Sequence, residues 1–133
     1  MSSLHSLNDL LNACEEWGIR VVSSSESAYR WTDSIIGLSS KVNSDTHLLF
    51  DLAHEVGHHF SIQWGIYASN AWRIGNMYSS QDECAAHTEM EEERTAWKIG
   101  ENFIPNELLF SYLEYANQCL KTYKTAFIPV TSE

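Results

Sequence analysis

The sequence predicts a small α+β domain of about four helices and a small antiparallel or mixed β-sheet. Three observations predict it. Apolar residues recur at helical spacing in separate stretches along the chain. Short runs near the N-terminus, Ile19-Arg20-Val21-Val22 and Ser34 to Ser39, instead read as strands. The chain has 133 residues, 44% hydrophobic and 20% charged, which suits one domain with one core. We assign a single domain to residues 1–133, with its core at about 4–123 and a tail at 124–133.

The first helix is predicted from Ser6 to Trp17, with Leu7, Leu10, Leu11 and Cys14 on one face. Ser6 followed by Asp9 is an N-cap signal, and Gly18 suits a C-terminal cap. Ile19 to Val22 is the first strand, Ser23 to Ser27 a loop, and 34–39 and 41–43 further strand pieces. Ser44 or Asp45 caps a second helix over Thr46 to Gln63. Residues 65–79 contain Gly65, Asn70, Gly75 and Asn76 and are expected to be a mixed, aromatic-rich connection packing as a loop over the site. Ser80-Gln81-Asp82-Glu83 is a capping box that opens a third helix, which Pro105 stops at Ile104. A fourth helix follows from Asn106 to Tyr123, presenting Leu108, Leu109, Tyr112, Leu113 and Ala116. The chain from Thr125 is expected to be irregular.

Eight Lys plus Arg stand against eighteen Asp plus Glu, a net charge of −10. No basic patch is visible, which argues against direct nucleic-acid binding. No apolar run reaches the roughly 20 residues of a membrane span. Met1 to Ser6 lacks the features of a secretion signal, so a cytoplasmic protein is expected. Cys14, Cys84 and Cys119 are odd in number and far apart. They form no C-x-x-C pair and are expected to be reduced thiols.

The chemistry is concentrated in His54-Glu55-Val56-Gly57-His58. On a helix, residues four apart lie roughly 40° apart on one face. Two imidazoles can therefore meet one metal ion. Glu55 is badly placed to be a third ligand but can reach a metal-bound water as a general base. Leu48 to Ala53 and Phe60 to Ile62 make this helix apolar, so an ionised Glu55 needs a reason to be there. His59 points roughly 140° away from His54 and is read as a supporting or surface residue.

A zinc hydrolase needs a third protein ligand and an open position. The acidic third helix offers Glu83, Glu89, Glu91, Glu92 and Glu93. With Glu93 at 0°, Ala86, Met90, Trp97, Gly100 and Ile104 all fall within about 60° of it. Glu93 thus sits in the middle of a core-facing stripe, where a carboxylate needs a cation. Glu92 lies at the stripe's edge and Glu91 beyond it, and both are read as part of a solvated acidic face. Glu89 and Glu92 remain alternatives to Glu93 as ligand.

Leu52-Ala53-His54-Glu55-Val56-Gly57-His58, together with Glu93-Arg94-Thr95-Ala96-Trp97 and Phe103-Ile104-Pro105, resembles the two signatures of the ImmA/IrrE-type metallopeptidases. The resemblance spans about residues 4–123. It implies a minimal zincin-like (gluzincin-like) fold, Zn²⁺ on His54, His58 and Glu93, Glu55 as base, and a peptide or protein substrate, often a repressor. An extended peptide is expected to pair with an edge at Ile35 to Ser39. His47, Tyr78 and His87 are candidate oxyanion donors. The competing expectation is a catalytically inactive binding module with the same fold, regulating or inhibiting another protein. Oligomeric state is not legible.

Overall fold

The computed structural model describes residues 6–42 and 44–127. It is a small α+β domain. In order the elements are α1 (Leu7–Glu16), β1 (Arg20–Ser24), β2 (Ala28–Arg30), β3 (Ile35–Ser39), α2 (Asp45–Gln63), α3 (Ile66–Gly75), α4 (Gln81–Gly100), a 3₁₀ turn (Glu101–Phe103) and α5 (Asn106–Phe127).

The helix starts follow local chemistry. Ser6 Oγ accepts from the Asp9 amide, Ser44 Oγ from that of His47, and Ser80 Oγ from those of Asp82 and Glu83. Each satisfies donors that the first turn leaves unpaired. Gly18 takes φ +79° after α1, a conformation glycine adopts without strain. Ile104 is extended before Pro105, as the proline ring requires. The regular α-helix nevertheless ends at Gly100, four residues earlier than expected, and tightens into the 3₁₀ turn.

Three further expectations are corrected. Residues 65–79 are not a loop but mostly α3. Gly65 (φ +78°) and Gly75 mark its two ends rather than interrupting it. Lys41 and Val42 lie in a turn, not a strand, and Asn43 falls outside the described residues. The last helix continues through 124–127, while residues 4 and 5 of the expected core and 128–133 of the expected tail lie outside the described residues.

The sheet has three strands in the order β1-β3-β2. β1 runs parallel to β3, pairing Val21 with Ile36, and β2 runs antiparallel to β3, pairing Tyr29 with Ile36. Ile35–Ser39 is therefore the central strand and has no free edge. Ile36 points into a core shared with Leu10 and Cys14 of α1, Phe50, Leu52 and Val56 of α2, Trp97 of α4 and Tyr112 of α5. Each fully buried side chain of this size contributes about 1.5–3 kcal/mol. Burial pushes the Cys14 thiol up to about 12, so it behaves as a small apolar group.

The main seam is α2 against α4, and two glycines set its depth. A Cβ on Gly57 would land on the Ala96 carbonyl, and one on Gly100 would meet the Tyr112 hydroxyl and lie 2.8 Å from the Ala53 carbonyl oxygen. The missing side chains let the two backbones touch. Tyr112 then donates from its hydroxyl to the Trp97 carbonyl at 2.5 Å, tying α5 to the same seam. Among the described residues, no helix is long and apolar enough to cross a membrane.

Candidate metal centre

α2 carries His54 and His58 on the face it turns to α4, with their ring centroids 4.6 Å apart. α4 returns Glu93 to both. His54 Nε2 lies 2.9 Å from Glu93 Oε1, and His58 Nε2 lies 3.1 Å from Glu93 Oε2. The helices approach closely enough for this because Gly57 sits one position from His58. Separately, a nitrogen of each histidine and an oxygen of Glu55 lie within 4.8 Å of one another. Glu55 is buried, and its Oε2 is 3.3 Å from His54 Nδ1.

Glu92 departs from the sequence reading. It is buried, not part of a solvated face. Its Oε2 accepts from His58 Nδ1 at 2.7 Å, and its Oε1 accepts from Ser61 Oγ at 2.7 Å. A rotation of about 100° per residue puts Glu92 at the margin of the α4 stripe. The shallow α2–α4 separation widens the buried sector enough to enclose it. Glu89 is exposed and is not among the residues that line a cleft together with His54 and His58.

All four ring nitrogens of His54 and His58 thus face carboxylates. A carboxylate only accepts, so His54 donates from Nε2 to Glu93 and His58 from Nδ1 to Glu92, while the contacts of His54 Nδ1 with Glu55 and of His58 Nε2 with Glu93 are ion-pair contacts. For His58, burial alone lowers the pKa, but the hydrogen bonds to Glu92 and Glu93 outweigh it and raise it to about 10. His54 is raised despite its burial by its bonds to Glu55 and Glu93. Burial pushes Glu93 up, yet the two histidines win and bring it down to about 2. Three buried carboxylates are gathered around two imidazoles. One divalent ion carries the same charge as the two Nε2 protons it would displace, so the exchange leaves the local charge unchanged. Imidazole nitrogen with carboxylate oxygen is also a donor set suited to zinc.

Other side chains hold this cluster in place. Trp97 stacks flat on His54, with centroids 4.0 Å apart and planes 9° apart. Asp51, one turn before Glu55, accepts from the Tyr115 hydroxyl at 2.8 Å. His59 is buried and shares a 2.9 Å hydrogen bond with the Tyr29 hydroxyl, which ties β2 to α2. Burial lowers its pKa, and its hydrogen bond to Tyr29 makes it a strut rather than a surface group. The sequence offers no spacing signal for Tyr29, Ser61 or Tyr115, because their partners are 30 to 64 residues away.

The cluster forms the floor of a cleft of about 920 Å³. Ser27 to Tyr29 and Trp31 make one wall and Tyr67 of α3 part of another, and none of the lining residues is Lys or Arg. The three candidate oxyanion donors are not among the lining residues. His47 stacks on Tyr115 at 4.9 Å, and Tyr78 stacks on His87 at 4.1 Å. The tyrosine that the 65–79 segment contributes to the cleft is Tyr67 instead. Likewise the strand beside the cleft is β2, an edge of the sheet, rather than β3.

No family model matches the chain, and neither a curated protein nor a solved structure matches it significantly.

Proposed function

We propose that the chain is a zinc-dependent peptidase, with His54, His58 and Glu93 as ligands and Glu55 as general base. The observation that carries this reading is the buried imidazole–carboxylate cluster, whose charge is unchanged when a divalent ion replaces two protons, lying open to a cleft. The resemblance of His54-Glu55-Val56-Gly57-His58 and the Glu93 segment to the ImmA/IrrE-type signatures points the same way, and we infer a cytoplasmic peptide or protein substrate. When bound, zinc supplies a Lewis acid and a water with its pKa lowered towards ~7.

Glu55 is within reach of the donor atoms, and it takes a proton from the attacking water and passes it to the leaving amine. Among the described residues β2 has an unpaired edge, on which an extended peptide adds as a further strand, and Trp31 and Tyr67 line the same cleft with aromatic surface. Tyr67 lines the cleft and stands as a candidate oxyanion donor in place of Tyr78. A second reading is a protein-binding module without turnover. The exposed Trp64 and Trp72 at the ends of α2 and α3 favour it, since solvent-exposed tryptophans are characteristic of contact surfaces.

The test is metal content and turnover on a fluorogenic peptide library, for wild type and Glu55→Gln. We expect one zinc per chain in both and a loss of at least ~100-fold in hydrolysis in the variant. Full turnover by Glu55→Gln removes Glu55 as base. Bound zinc with no turnover in wild type selects the binding module.

A further inference from the structure

The two imidazoles are held by different means. His54 lies flat against Trp97, and its Nδ1 faces Glu55 at a loose 3.3 Å. His58 has no stacked indole. Two consecutive residues of α4 hold its two nitrogens, Glu93 at Nε2 and Glu92 at Nδ1. The Glu92 contact is the shortest in the cluster, at 2.7 Å, and its second oxygen is taken by Ser61, which is fully buried one turn after His58 on α2.

We propose that Glu92, anchored by Ser61, is the positioning residue for His58. This rests on the metal reading above. Glu92 accepts the Nδ1 proton, and once a metal displaced the Nε2 proton this bond would fix the neutral ring in the tautomer that leaves Nε2 available as a ligand atom. The two oxygens of Glu92 are taken by His58 Nδ1 and Ser61 Oγ, away from the Nε2 atoms, whereas both oxygens of Glu93 face those Nε2 atoms, which keeps Glu92 from serving as a competing ligand. The Ser61 hydroxyl locks the carboxylate plane, so the His58 ring cannot rotate without breaking two buried hydrogen bonds. Carboxylates behind ligand imidazoles act this way generally, raising ligand basicity and holding the ring angle. The loose contact on His54 fits the same division of labour. Glu55 must stay free to move a proton, so His54 is steadied by the indole face instead.

The experiment measures zinc affinity by chelator competition, and the visible absorption bands of the cobalt-substituted protein, for wild type, Glu92→Ala, Glu92→Gln, Ser61→Ala and the control Glu91→Ala. We expect Glu92→Ala to lose 10- to 100-fold in affinity and to shift the cobalt bands. Glu92→Gln, which retains an acceptor oxygen, recovers most of the band shape and part of the affinity. Ser61→Ala loses a few-fold, and Glu91→Ala loses nothing. If Glu92→Ala fails to fold, Glu92→Gln and Ser61→Ala decide: reduced affinity or altered bands support the role, and wild-type behaviour in both overturns it. Wild-type affinity and spectrum in a folded Glu92→Ala overturns it directly. A wild-type chain that takes up neither ion sinks the metal reading, and this inference with it.

Discussion

The α2–α4 seam and the rim formed by β2 and α3 border the same cleft but are built in opposite ways. At the seam, backbones touch at Gly57 and Ala96, side chains are buried, and each polar group of the cluster meets a partner. At the rim, β2 is three residues long, and Trp31 and Trp72 are 63% and 75% exposed. Close packing transmits a displacement of one methyl group, whereas an exposed side chain can change with little effect on its neighbours. The seam therefore fixes where the donor atoms stand, and the rim is free to fit what enters.

The sharpest way to break this contrast is Gly57→Ala. Helix propensity alone favours alanine by about 0.5–1 kcal/mol, but the new methyl meets the Ala96 carbonyl. We expect a net loss of about 1–3 kcal/mol in chemical denaturation, with a parallel drop in zinc affinity as α4 is pushed away. Unchanged stability and affinity would show that the close approach does not set the site.

A second measurement uses pH on the metal-free protein. His58 is raised above its ordinary value to about 10, so its stabilising contribution is complete below about 6.5 and lost as pH rises through about 10. Glu93 is lowered from 4.5 to about 2, so its contribution is complete above 4.5 and lost as pH falls through about 2. The metal-free melting temperature should fall between pH 6.5 and 10. Zinc affinity should rise over the same range, because binding displaces the Nε2 protons. Calorimetry in buffers of different ionisation enthalpy checks this by counting one to two protons released per zinc at pH 7. A count of zero refutes the charge exchange.

The smallest expected effect belongs to the rim. Trp31→Ala should change stability by no more than about 0.5 kcal/mol and leave zinc affinity untouched, while raising KM for peptides. A destabilisation as large as that of Gly57→Ala would erase the distinction between rim and seam.

The seam was also the legible part of the sequence. His54, Glu55, His58 and Glu93 follow from helical angles, because each helix reports its own facing side through the period of its apolar residues. Glu92 was misread because angular position says nothing of how near the next helix comes. That distance depends on Gly57, whose role is visible only when Ala96 lies opposite. At the rim, Gly65 and Gly75 looked like interruptions, yet they bound a helix that Asn70 braces through Thr95 and Arg73 on its outer side. β2 was missed because three residues carry no alternation, and its pairing is decided by β3. The same non-sequential strand order moved the free edge from Ile35–Ser39 to Ala28–Arg30.

The indole laid against His54 has an optical consequence. Trp97 is 4% exposed, its Nε1 has no hydrogen-bond partner among the described residues, and the other four tryptophans are 37% to 75% exposed. Trp97 should therefore emit at shorter wavelength than the rest. A cationic ring stacked on it drains its excited state, and a ring that has given up its charge does so far less. The blue edge of the protein's fluorescence should thus report the ionisation of a single histidine, with no label attached.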